Sequence, residues 1–85
     1  MHGAKLGGIP GAGDVRSRRG FEGVREYRGT FVSRRENDEA LRRLMETRER
    51  VEFEGLVDGE RKTLRVIVTD VSPETAMVFF QAVRE

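Results

Sequence analysis

Eighty-five residues with no cysteine and a formal net charge of +1 make one domain at most, with no disulfide or thiolate metal site to staple it. No apolar run approaches the roughly 20 residues of a membrane span, and residues 1–8 hold no apolar stretch long enough for a signal peptide. The expected location is therefore the cytoplasm, or the virion if the source is viral, with no membrane partner.

Eight of the ten glycines fall in the first 29 residues. Gly3, Gly7, Gly8, Gly11 and Gly13, with Pro10 among them, argue against a regular element at the start. Residues 1–25 are expected as an extended, flexible or partner-ordered N-terminal arm, and residues 26–85 as a single α+β module. The arm is mildly basic. Residues 1–29 carry six basic and three acidic residues, whereas residues 30–85 carry ten and twelve. Arg16, Arg18 and Arg19 form the basic cluster, and Phe21 and Val24 follow it as apolar anchor points.

Residues 26–33 read as the first strand, with Tyr27, Gly29 and Phe31 on one face. Gly29 is a weak point for a strand and marks a bulge or a close backbone approach. Asn37 is the preferred helix cap, because Asp38 and Glu39 then occupy the first turn, where the helix dipole favours negative charge. Ala40, Leu41, Leu44 and Met45 give a narrow apolar stripe at helical spacing. Val51-Glu52-Phe53-Glu54 alternates and opens the second strand. Asp58-Gly59 is a strong hairpin signal, and residues 63–69 return as the third strand. A turn at Ser72-Pro73-Glu74 leads to a last strand at residues 76–83.

Both faces of that last strand are apolar. If Met77 and Phe79 face the helix, then Val78 and Phe80, with Ile67 on the neighbouring strand, need another cover. An apolar patch of this kind marks an interface. The alternative is that Phe21, Val24 and Tyr27 fold over it within the chain. The module is also small for an independent core, since a chain of about 60 residues buries only ~60% of its unfolded surface.

Catalytic chemistry is not evident. The one histidine, His2, stands at the Gly-rich start, a poor place for a positioned general base. A zinc site would have to be built from carboxylates. Glu52 and Glu54 share one strand face as a solvated side. Residues 7–13 look like a phosphate loop, but Asp14-Val15 stands where Lys-Ser/Thr is needed, and no strand precedes them. No catalytic residue, metal, cofactor or small-molecule substrate is expected. Nucleic acid is a possible partner. Arg16, Arg18, Arg19, Arg25 and Arg28, interleaved with Phe21 and Tyr27, suit phosphate tracking and base stacking. The sequence pI of 8.3 lies below the value above ~9 usual for a dedicated binding domain.

The stretches Glu26-Tyr27-Arg28-Gly29-Thr30-Phe31, Asn37-Asp38-Glu39-Ala40-Leu41-Arg42-Arg43-Leu44, Val51-Glu52-Phe53 and Leu64-Arg65-Val66-Ile67-Val68-Thr69-Asp70-Val71-Ser72 together resemble small structural proteins of tailed-phage tails, of the tail-tube, distal-tail and tail-completion type. The resemblance covers about two-thirds of the chain. It implies sheets that pair with neighbouring subunits and arms that lace one ring to the next.

The expectation is an α+β fold: a small, mainly antiparallel sheet of about four strands, one helix packed on it and the Gly-rich arm. The expected function is a non-enzymatic structural subunit of a phage tail or baseplate. Its partners would be copies of itself and neighbouring assembly proteins, met through Arg16, Arg18, Arg19, Phe21, Ile67, Val78 and Phe80. The alternatives are a small nucleic-acid-binding protein using the Arg-rich arm, and a protein-binding adaptor or inhibitor that caps a partner with Val78 and Phe80.

Overall fold

The structure, a computed structural model, describes residues 2–20, 23 and 25–83. In chain order it contains β1 (Gly3–Leu6), β2 (Ile9–Arg19), β3 (Arg25–Val32), α1 (Asp38–Thr47), β4 (Val51–Val57), β5 (Glu60–Val71) and β6 (Val78–Ala82). One helix and a mainly antiparallel sheet agree with the expected α+β class. The sheet, however, has six strands, not about four, and it closes into a barrel in the order β1-β2-β3-β6-β5-β4.

The two additional strands come from residues expected in the extended arm. Gly7 and Gly8 are the two central residues of a hairpin between Leu6 and Ile9, with φ of 58° and 82°. Two successive residues at positive φ make the tight turn that matches strand twist, and Gly-Gly supplies them without steric cost. The glycines that seemed to exclude regular structure therefore create a hairpin. Pro10 is tolerated because it faces only Lys5, while β3 pairing starts at Ala12, so its missing N–H interrupts no β2–β3 bond.

β4 closes the barrel. It pairs antiparallel with β1 at Lys5–Glu54 and Leu6–Phe53, and then parallel with β2 at Asp14–Leu56 and Val15–Val57. Two backbone bonds lock this seam, Gly7 N–H to the Glu52 carbonyl at 2.8 Å and Asp58 N–H to the Val15 carbonyl at 2.9 Å. The seam joins residues more than 40 positions apart in the chain.

α1 begins after a 3-10 turn at Arg35–Asn37. Asn37 holds the expected cap position, but its side chain does not cap the helix. Its Nδ2 donates to Ser33 Oγ at 2.8 Å, and Ser33 Oγ donates to the Pro10 carbonyl at 2.6 Å. This relay ties the helix entry to the start of β2. α1 packs against β5 and buries Leu41, with Leu44 and Met45 half-buried beside it. Ala40, the fourth residue of the expected stripe, is exposed.

The core is a single apolar cluster built around Leu6, Phe31, Leu41, Phe53, Val66 and Phe80, with no buried polar or charged side chain among the described residues. The Phe53 and Phe80 rings lie 4.8 Å apart at 34°, within the spacing that favours tilted aromatic pairs. Gly29 provides the close approach expected of it. A Cβ there would lie 2.4 Å from the Phe80 ring and 2.8 Å from the Asp14 carbonyl.

Closure also corrects the assignment of faces on the last strand. Val78 and Phe80 point inward, 0% and 2% exposed, and Phe79 points outward, 38% exposed. An open sheet with one helix leaves one apolar face uncovered. A closed barrel covers its own inner face, so Val78 and Phe80, expected at an interface, form part of the core instead.

Candidate interaction surface

β2 and β3 run antiparallel from Ala12–Val32 to Arg19–Arg25. β6 stops pairing with β3 at Arg28, and β4 stops pairing with β2 at Val15. Past those points Ser17–Tyr27, Arg18–Glu26 and Arg19–Arg25 pair only with each other, as a two-stranded ribbon at the end of the barrel. Residues 16–19 and 25–28 carry five arginines and one glutamate. The sequence-predicted Arg16, Arg18 and Arg19 thus lie together on one strand, with Arg25 and Arg28 brought opposite them by the register. Phe21, also predicted at the interface, lies outside the described residues.

Alternation along the strands places Arg16, Arg18, Glu26 and Arg28 on the outer face. Arg16 stands directly opposite Arg28, and on the other face Arg19 stands opposite Arg25. Glu26 serves two arginines: its Oε2 is 3.5 Å from Arg18 Nε and 4.0 Å from Arg28 Nη2. That oxygen is buried and accepts no hydrogen bond, so Glu26 balances charge without fixing either guanidinium in a fork.

The β4–β5 turn holds the base of the ribbon. Asp58 and Gly59 sit at positive φ, 51° and 83°, as an Asp-Gly hairpin requires. The Asp58 carboxylate accepts from the Ser17 N–H at 2.9 Å and from the Ser17 hydroxyl at 2.5 Å. These two bonds, the hydroxyl first, hold the carboxyl below the usual aspartate range. Desolvation opposes them, and the charges of Arg25 and Lys62, each a lesser effect than desolvation, act in the same direction as Ser17.

Beside the ribbon, an open groove of about 470 Å³ runs over the outer face of β2, β3, β6 and β5, lined among others by Arg16, Arg28, Thr30, Thr69, Phe79 and Gln81. Among the described residues Phe79 is the large hydrophobic residue left exposed, and the Thr69 hydroxyl donates to its carbonyl at 3.1 Å. Ile67, a predicted interface residue, sits half-buried opposite Gln81, on the outer side between the buried Val66 and Val68. Val78 and Phe80 lie on the far side of the same wall. On an open sheet Phe79 could have faced the helix, which would have turned Val78 and Phe80 outward; the closed barrel has Phe79 outside and the other two inside.

Among the described residues no group of three or more His, Asp or Glu side chains could hold a metal ion, and no helix is long and apolar enough to cross a membrane. Comparison with protein-family models, with curated proteins and with solved structures gives no match.

Proposed function

We propose that this chain is a non-enzymatic structural subunit of a larger assembly, of the kind found in phage tails and baseplates, and that it meets neighbouring copies through the outer face of β5 and β6. The observation that carries this reading is Phe79, an exposed aromatic residue beside Ile67 on an otherwise polar wall. Protein interfaces place aromatic anchors at the centre and polar groups at the rim. Thr69, Gln81 and Arg28 would form that rim.

A stable interface takes about 800 Å² from each partner, against 5951 Å² for the whole surface of this chain. Phe79 and Ile67 cannot supply that alone, so the contact must extend over the groove and its arginines. Sedimentation velocity over a wide range of protein concentration tests the proposal. Association that strengthens with concentration and weakens in Phe79→Ser supports it. A monomer at every concentration, unaffected by Phe79→Ser, overturns it. Val78 and Phe80, the residues with which the adaptor reading would cap a partner, are buried within the barrel.

A further inference from the structure

We propose that the β2–β3 ribbon binds duplex nucleic acid, standing in the major groove with its arginines on the phosphate walls. The inference does not depend on the assembly reading, because the ribbon is a feature of the single chain.

The pairing register is the first observation. Like charges directly opposite each other on antiparallel strands destabilise the pair. Two such positions fall within four residues, Arg16–Arg28 where the ribbon leaves the barrel and Arg19–Arg25 near its described end. Among the described ribbon residues the one glutamate, Glu26, is shared between Arg18 and Arg28. Arg16 and Arg19 have no ion-pair partner among the described residues. Arg25 feels the charge of Asp58, but both Asp58 oxygens are engaged by Ser17. A ribbon of this kind is completed by an anionic partner that supplies several separate charges.

The geometry favours a duplex groove over other polyanions. Arg16, Arg18 and Arg28 project from one face of the ribbon, and Arg19 and Arg25 from the other. A membrane surface or an acidic patch on a protein meets one face at a time. A groove has two phosphate walls. The major groove of B-form DNA, about 12 Å wide, admits a two-stranded β-ribbon, whereas the minor groove is only about 6 Å wide. Arginine forks also match phosphate oxygens in a way that lysine does not.

The ribbon is preformed. Asp58 fixes it at Ser17, and three residue pairs continue the β2–β3 ladder out of the barrel, so little ordering of these positions is lost on binding. Because the chain as a whole carries only +1, attraction is concentrated at the ribbon, which would lead the approach.

The test is fluorescence anisotropy of the full chain with a labelled duplex of about 20 base pairs, titrated from about 20 to 200 mM salt. If the four arginines of the two opposed pairs each neutralise one phosphate, log K falls against log salt with a slope of about −3.6, roughly 150-fold between about 50 and 200 mM. The double variant Arg19→Gln/Arg25→Gln is expected to reduce the slope to about −1.8 while its melting temperature holds or rises, because a repulsive pair is removed. Absence of binding at the lowest salt overturns the proposal, as does an unchanged slope in a folded variant. Equal or tighter binding of the wild-type chain to the single strand, to polyglutamate or to phosphatidylglycerol vesicles also overturns it, and that comparison needs no variant.

Discussion

Phe79 and Phe80 are adjacent in the chain and separated by the barrel wall. Phe80 packs on Phe53 and over Gly29 at 2% exposure, while Phe79 stands outside at 38%. Truncating the two should therefore have very different costs. Phe80→Ala is expected to lower unfolding free energy by about 3–5 kcal/mol through lost burial and a cavity. Phe79→Ala should stay within about 0.5 kcal/mol, as surface changes do. Urea unfolding of the two variants measures this, and the reverse order would mean that the wall is assigned inside out. Gly29 gives a companion experiment. A methyl at this position meets the Phe80 ring and the Asp14 carbonyl at under 3 Å, so Gly29→Ala should cost about 1–3 kcal/mol as an overpacked site.

At the scale of elements, the contact between the β4–β5 turn and the ribbon is where pH should act. The Asp58 carboxyl is held low in the folded chain by Ser17, and then by Arg25 and Lys62. In the unfolded chain it returns to the ordinary value. A carboxyl depressed by folding contributes stability that is fully present above its unfolded pKa and is lost as pH falls through its folded pKa. Asp58→Asn keeps the shape and tolerates the positive φ but removes the charge. The wild type should melt at a higher temperature than Asp58→Asn at neutral pH, and the gap should close in acid below the usual aspartate range. A gap independent of pH would show that the contact does not depend on charge.

Local signals in the chain were sufficient for several of these elements. Asn37 followed by Asp38 and Glu39 marks the helix start, Asp58-Gly59 marks the hairpin, and Val51-Glu52-Phe53 gives the alternation of β4. Gly7-Gly8 between Leu6 and Ile9 carries a hairpin signal of the same kind, masked by the glycines around it and by Pro10. Closure was not legible. The β1–β4 and β2–β4 seam joins distant residues with no local mark, and without it Val78 and Phe80 look like a second apolar face. The arginine cluster at Arg16, Arg18 and Arg19 is visible in the sequence. Its confrontation with Arg25 and Arg28 depends on the pairing register, which follows only once β2 is recognised as a strand.

For the molecule as a whole, residues 3–19 are staves of the barrel. They bring Ala4, Leu6 and Val15 to the core and supply both partners of β4 at the seam. They also fix the register of the ribbon. Removing residues 1–19 should therefore abolish the cooperative unfolding transition rather than trim a tail, as circular dichroism during a thermal melt would show. The Phe79 contact and the arginine ribbon both assume this closed barrel. Amide hydrogen exchange tests that assumption most directly. Gly7 N–H bonds to the Glu52 carbonyl at 2.8 Å, and Gly13 N–H bonds to the His2 carbonyl at 2.9 Å. Both amides should exchange slowly, on the timescale of the Val66 and Val68 amides in β5, because they open only with the barrel. Exchange of Gly7 and Gly13 at the rate of an unstructured chain, with Val66 and Val68 still protected, would contradict the closed barrel and make the glycine-rich segment an arm after all.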